Sequence, residues 1–323
     1  MFTVEGILLI FTRSKDIGKL KDIICDLCGS SEFEIFISRD EWSWLPNKYK
    51  TNLVQCLQCN LIYQNPQLEP NELAHFYGPE YEPYVRPIEE EIWLIKKFRL
   101  ANVRKKVNLV KSFVQNKGYI LDVGCSTGVF LTQMKSIGWV CYGIEPNYYA
   151  AEIAKRTLGI NIFQGYLSEF KGMERCFDAI TFWDVVEHTF SPSNELRLAH
   201  NLLKTNGILI LNIPNWNAFD RGLLGKYWQG YDPPRHLYVF SENNIKQYLS
   251  KTGFKLLNSF SLISSYYSFV MGLARKLEIE YPKLGRIVKF LLYIPGTRLV
   301  FEPWLKIYHH QKRSSVITYV AQK

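Results

Sequence analysis

An apolar run, Ile120-Leu121-Asp122-Val123, breaks into the turn Gly124-Cys125-Ser126-Thr127-Gly128. About a helix later, a second apolar run ends on a carboxylate, Tyr142-Gly143-Ile144-Glu145. Strand, glycine-bearing turn, helix and second strand with an acidic end is how an open α/β sheet builds a nucleoside pocket. Glycines at 124 and 128 let the turn's backbone approach a ligand where a Cβ would collide. Glu145 is placed to accept hydrogen bonds from both hydroxyls of a ribose.

A dinucleotide site asks for Gly-x-Gly-x-x-Gly and a bare helix N-terminus for the pyrophosphate. Here the third glycine is missing and Asp122 stands beside the turn. A carboxylate there repels phosphate and suits the amino group and sulfonium of S-adenosylmethionine. From Gly118 to the C-terminus the chain resembles the class I, S-adenosylmethionine-dependent methyltransferases, departing at Ser126, where that family usually has a glycine. The resemblance implies an α/β fold: a Rossmann-like, seven-stranded, mostly parallel sheet with helices on both faces and the last strand antiparallel. It also implies that Asp122, Gly124, Cys125 and Gly128 line the methionine half of the cofactor, that Glu145 takes the ribose, and that Pro146 borders the adenine. Gly165 and Tyr166 would pass the adenine edge, with Tyr166 where many relatives carry an acid, and Trp183 and Asp184 would close over the cofactor. An NAD-dependent oxidoreductase or epimerase on the same sheet is the alternative enzyme.

Strands are expected near 119–123, 139–144, 161–163, 177–182 and 207–213, with two more around 254–261 and 315–321. Helices are expected at 129–136, 148–158 and 193–203, alternating with strands as a parallel sheet requires. Ahead of them, 70–77 reads as a short helix and 88–115 as a long one, with apolar residues at Val103, Val107, Val110 and Val114. The run Arg104-Lys105-Lys106 reads as that helix's solvated face, and no recognition module supports nucleic-acid binding.

Seven cysteines include two pairs, Cys25-Asp26-Leu27-Cys28 and Cys56-Leu57-Gln58-Cys59. Each puts two thiolates on a tight knuckle, and the residues between can form the hairpin that joins them. Four sulfurs at this spacing make a closed tetrahedral site for structural Zn²⁺, with no open position for catalysis. The segment from Cys59 to Pro66 resembles the end of the zinc-binding module that precedes some sugar- and polysaccharide-modifying methyltransferases. The expected organisation is a zinc ribbon over 1–68, a helical linker or cap over 69–117, and a methyltransferase domain over 118–323. A non-catalytic zinc-ribbon protein is the alternative outside enzymes.

Methyl transfer to a hydroxyl needs a base, and histidine suits neutral pH. Two candidates stand out. His188 follows Glu187 after the fourth strand and reads mainly as part of a structural turn. His236 ends the loop Tyr231-Asp232-Pro233-Pro234-Arg235-His236, in a segment with Trp216, Tyr227 and Trp228 whose ring faces suit a sugar or other flat acceptor. Arg235 suits an acidic group of that acceptor. The acceptor is expected to be a small molecule or a glycan, methylated at oxygen more readily than carbon; a lipid-linked glycan would fit an insert at 264–313 rich in aromatic, aliphatic and basic residues. There, Phe290 to Ile294 beside Arg286 and Lys289 suits a membrane interface. The reading nevertheless favours a helical cap, packed on the sheet or a second subunit, because Pro282, Pro295 and Pro303 break the insert into short pieces. The run Gly6 to Phe11 is too short to span a bilayer and has no basic leader. With paired cysteines that suit metal rather than disulfides, the chain reads as cytoplasmic, with peripheral membrane contact as the variant. A formal charge of +9 chooses among no partners by itself.

Overall fold

The computed structural model describes residues 20–77, 93–159, 161–292, 294 and 296–323. The apolar run at 6–11, residues 88–92 of the expected long helix, and Tyr293 and Pro295 lie outside the described residues. Strands β1 (Leu20–Lys21), β2 (Phe33–Ile37), β3 (Asn52–Cys56), β4 (Ile62–Asn65) and β5 (Gln67–Leu68) precede helices α1 (Pro70–Ala74) and α2 (Trp93–Phe113). An alternating run follows: β6 (Tyr119–Val123), α3 (Val129–Ser136), β7 (Val140–Glu145), α4 (Tyr148–Leu158), β8 (Asn161–Gln164), β9 (Phe177–Trp183), α5 (Pro192–Leu202) and β10 (Leu203–Pro214). After it come α6 (Phe219–Leu224), β11 (Tyr238–Val239), α7 (Glu242–Lys251), β12 (Lys255–Phe260), α8 (Tyr266–Glu280), α9 (Pro282–Leu292), α10 (Thr297–His310) and β13 (Val316–Gln322).

Seven strands form one sheet in the order β12-β13-β10-β9-β6-β7-β8. β6 pairs in parallel with both β7 and β9, and β13 runs antiparallel to β10 and β12. This is the Rossmann-like, mostly parallel sheet that the sequence implied. Alternation along the strands divides the core between the two faces. Ile120, Ala179, Ile210 and Val320 pack with Val103, Val107 and Val110 of α2 and Phe130 and Leu131 of α3. Leu121, Ile180, Phe182 and Leu211 pack on the other face with Leu196 of α5 and Ile245 and Leu249 of α7.

A second, four-stranded sheet has the order β11-β4-β3-β2. Its fourth strand comes from far along the chain, with Tyr238 opposite Tyr63 and Val239 opposite Ile62. Val54, Cys56 and Tyr63 of this sheet join the core on the α5 and α7 side. Leu53, Ile62 and Trp42 join a third core with Phe219, Trp228, Phe269 and Leu305. The cysteine-bearing segment is therefore built into the body from both faces.

The insert forms three helices. α8 buries Phe269, Val270 and Ala274, and Phe269 meets Phe219 of α6 with ring centroids 5.7 Å apart. The cap thus covers the segment after β10. α9 folds back on α8 at Gly285, where a Cβ would lie 2.3 Å from the Leu277 carbonyl oxygen, so only glycine permits this approach. Pro282 opens α9, but Pro303 sits inside α10 without ending it, contrary to the expected break.

Candidate functional site

The two cysteine knuckles are built alike. Gly29 N–H donates to the Cys25 carbonyl at 2.7 Å, and Asn60 N–H to the Cys56 carbonyl at 3.0 Å. Gly29 and Asn60 both take left-handed backbone, with φ 78° and 56°, a conformation these two residue types tolerate. Cys25 and Cys59 sulfurs lie 3.4 Å apart, and Cys28 and Cys56 sulfurs 3.5 Å. These distances are too long for disulfides, and all four sulfurs fall within 4.8 Å of one another. A tetrahedron with Zn–S bonds of about 2.3 Å has edges near 3.8 Å, so the donor set fits that ion.

In the main sheet, β6 has β7 on one side and β9 on the other, so the topological switch lies at their carboxyl ends. Gly124 and Gly128 adopt φ 71° and 75°, and a Cβ on Gly124 would lie 2.5 Å from a methyl of Val185. Ser126 takes the same left-handed region, φ 50°, without glycine's freedom. Glu145, 2% exposed, accepts from Ser126 N–H at 2.8 Å and Asn147 N–H at 2.9 Å. It braces the turn, a role its position at a strand end did not reveal. Each carboxylate oxygen retains a further acceptor site for a hydroxyl. Asp122, 3% exposed, accepts from the Thr181 hydroxyl at 2.6 Å. Burial pushes its carboxyl up to about 7, against the pull of the Thr181 bond and Lys106.

The remaining expected residues line the same ends. Cys125 is buried in the turn, and burial pushes its thiol far above the usual range, so it stays protonated. Pro146 is exposed after β7, and Gly165 follows β8 with its N–H on the Glu145 carbonyl at 3.2 Å. Tyr166 is exposed beyond it. Trp183 is buried against Phe130, and its indole N–H has no protein partner among the described residues. Asp184 is exposed with φ 59° and accepts from Asn212 Nδ2 at 2.7 Å. The Asn212 oxygen in turn accepts from the Thr318 hydroxyl at 2.7 Å, a polar line across three strands.

Lys106 corrects the sequence reading. Arg104 and Lys105 are exposed as expected, but the Lys106 ammonium lies 4.5 Å from the Trp183 ring. Burial lowers its proton affinity, while Asp184 and Asp122 oppose that shift. The signal was present: Val103, Lys106, Val107 and Val110 stand at i, i+3, i+4 and i+7 of one helix face.

His188 and His236, considered separately in the sequence, meet edge to face with ring centroids 4.6 Å apart. His188 Nδ1 lies 3.1 Å from the Arg235 carbonyl and 2.8 Å from the Tyr77 hydroxyl. Both contacts fall on one nitrogen and hold the ring's orientation. His236 Nδ1 donates to the Gly230 carbonyl at 3.0 Å, since a carbonyl can only accept, and its Nε2 keeps a lone pair. Burial lowers both below the usual histidine range, His188 further because His236 and Arg235 add positive charge; Asp232 opposes the shift at His236. Both rings are neutral near pH 7. Glu187, 1% exposed, has neither carboxyl oxygen paired among the described residues, and burial beside Asp184 pushes its carboxyl well above the usual range. A Glu187 oxygen and one ring nitrogen from each histidine lie within 4.8 Å, a second group with metal-ligand chemistry.

The loop before His236 departs from expectation. Arg235 reaches Asp232 at 2.6 Å, and Arg275 of α8 approaches the same carboxylate at 3.5 Å. Against the burial that would raise it, Arg235 holds Asp232 well below the usual carboxylate range. Arg235 thus anchors its own loop. Tyr227 and Trp228 are buried in the third core, and Trp216 carries the Arg221 guanidinium 3.8 Å from its ring, so these rings do not form the open platform expected for a sugar. Gln64 of β4 was not foreseen: its amide Nε2 donates to the His236 carbonyl at 2.8 Å while its Oε1 accepts from the Thr51 hydroxyl. Pairing between distant segments leaves no local mark for such a contact. Gln64→Leu is expected to lower stability by about 1–3 kcal/mol, read by urea denaturation, because two buried partners lose their bonds.

A methyltransferase domain family matches residues 95–259. Among curated proteins, the chain is 28% identical over 137 residues to a ubiquinone biosynthesis O-methyltransferase of Glaesserella parasuis serovar 5 (strain SH0165), covering 39% of this chain and 56% of that one. It is 22% identical over 173 residues to a protein of the same name from Bradyrhizobium diazoefficiens, covering 50% and 68%. The chain thus spans little more than half the length of the first of these relatives. A solved S-adenosylmethionine-dependent methyltransferase from Archaeoglobus fulgidus superposes with TM-score 0.46 at 16% identity, covering 72% of this chain and all of that one.

Proposed function

The chain belongs to this methyltransferase domain family, and from that premise we propose that it transfers a methyl group from S-adenosylmethionine to a hydroxyl oxygen of a small-molecule or glycan-type acceptor. The observation that carries the reading is that two half-sites follow the carboxyl ends of adjacent strands. An acidic, glycine-bearing turn (Asp122, Gly124, Gly128) leaves β6, with Glu145 at the end of β7, and His188, paired with His236, follows β9. The relatives' name as O-methyltransferases supports oxygen over carbon as the nucleophile.

The residues fit the cofactor. Asp122 beside a turn without a phosphate nest suits a cation, and the Trp183 N–H and Thr127 hydroxyl are buried polar atoms with no partner among the described residues. Asp122, Gly124, Cys125 and Gly128 would hold the methionine portion, Lys106 its carboxylate, Glu145 the ribose, and Pro146 and Gly165 the adenine, with Trp183 and Asp184 at the closing edge. Bound there, S-adenosylmethionine supplies an electrophilic methyl on a sulfonium. Acceptor orientation and water exclusion fall to Tyr77, Glu187 and the 231–236 loop. His236 takes the acceptor's hydroxyl proton at Nε2, because Asp232 stabilises the resulting imidazolium. His188, flanked by positive charge, positions that ring.

We further propose that Cys25, Cys28, Cys56 and Cys59 hold structural zinc, in a ribbon over 1–68 that frames the acceptor loop of the 118–323 domain through β4 and β11, with 69–117 as the helical linker between them. Isothermal titration calorimetry tests the donor half. Heat on adding S-adenosylmethionine or its demethylated product is expected, and neither binding, with NADH binding instead, would overturn the reading. Asp122→Asn is expected to weaken S-adenosylmethionine binding by about tenfold, since one lost charge-assisted contact is worth roughly 1.5 kcal/mol. In the unaltered chain, affinity should fall as pH drops below about 7, because protonation removes the Asp122 charge that favours a cation.

A further inference from the structure

The helices of the insert present an apolar face that the methyltransferase reading does not use. On α9, Leu284, Ile287, Phe290 and Leu291 are 55%, 63%, 72% and 49% exposed. They stand at i, i+3, i+6 and i+7, one continuous stripe, while Gly285 and Leu292 on the opposite side are buried. Leu299, Val300 and Ile307 are exposed on α10 as well. Single exposed hydrophobes are ordinary, but a contiguous face of this kind marks a binding surface.

Charge selects the occupant. α9 carries Lys283, Arg286 and Lys289 and no acidic residue. Lys289 is bridged to Glu278 at 2.9 Å, whereas Lys283 and Arg286 are exposed and make no ion pair among the described residues. Lys306 adds an exposed cation on α10. A second copy docking on this face would bring like charges together. An anionic lipid surface instead receives the apolar stripe at its acyl boundary and the cations at its headgroups. Among the described residues no helix is long and apolar enough to cross a membrane, so the contact is one of lying on the surface.

We infer that the exposed face of α9 docks on the surface of an anionic bilayer. α8, on which α9 packs at Gly285, also sends Arg275 to Asp232, so the docking surface and the histidine loop are joined through one helix.

Co-sedimentation of the full chain with vesicles tests this. The chain is expected to sediment with equimolar phosphatidylcholine and phosphatidylglycerol, and far less with phosphatidylcholine alone. Ile287→Glu combined with Phe290→Glu should weaken binding by more than about tenfold, since both side chains leave the acyl boundary. Lys283→Ala and Arg286→Ala should each weaken it about fivefold at low salt. All four positions are exposed, and an unchanged circular dichroism spectrum verifies the fold without reference to S-adenosylmethionine. Equal binding to both vesicle types, or full binding by the Ile287 and Phe290 variant, overturns the inference. So does a dimer in analytical ultracentrifugation that this variant abolishes while the parent ignores vesicles, which would assign the face to a second copy.

Discussion

His236→Ala is expected to lower kcat by about 10²–10⁴-fold, the usual contribution of a positioned general base, while S-adenosylmethionine affinity changes little. The split follows from position: His236 stands in the 231–236 loop rather than in the turn after β6, and its contacts run to Gly230 and His188. The pH profile gives the sharper test. The base must be neutral, and burial holds His236 below the ordinary histidine value of 6.5, so kcat at saturating S-adenosylmethionine should persist below that pH and fall only at lower values. His236→Ala should remove this acid limb. His188→Ala should lower the rate less, because that ring takes no proton, and should shift the limb upward, as water reaching the vacated space relieves the burial that lowers His236. A His236 variant with the parent's kcat and acid limb would exclude it as the base.

Replacing Cys56 with Ser, or chelating the metal, is expected to release one zinc per chain and to abolish methyl transfer. Structural zinc contributes about 10–16 kcal/mol of apparent binding energy in small zinc modules, comparable to or larger than a whole domain's stability. Here the loss reaches the reaction centre. Cys56 ends β3, which pairs with β4, and β4 carries Gln64, whose backbone N–H and side chain hold Leu237 and His236. Asp26, inside the first knuckle, also accepts from Ser193 N–H at 2.9 Å at the start of α5. Inductively coupled plasma mass spectrometry checks the metal, and an activity assay at matched folded fraction checks the coupling. Full zinc retention by the Cys56 variant would contradict the four-thiolate site.

Much of the glycine-bearing turn was legible because it is local. The turn from Asp122 to Gly128 and the strand end at Glu145 lie within one strand-helix-strand unit, where residue order and backbone requirements coincide. The knuckles were legible for the same reason, each closed by its own five-residue turn. The histidine pair was not. His188 and His236 are far apart in sequence, Tyr77 and Gln64 reach them from further segments, and Arg275 reaches the Asp232 of their loop from α8. Lys106 was misassigned because a basic triplet was read as a unit, although helix periodicity turns only its last member inward.

By itself, then, the sequence determined the alternating α/β sheet, the acidic glycine-bearing turn and the four sulfurs, since short-range spacing and hydrophobic alternation fix each of them. Only the tertiary structure decided that the cysteine-bearing sheet takes β11 as its fourth strand, that two histidines meet edge to face, and that Arg235 is held by Asp232. Those outcomes depend on which distant surfaces bury one another. Burial also sets the protonation of Asp122, Glu187 and the histidine pair, so their chemistry exists only once the chain has closed around them.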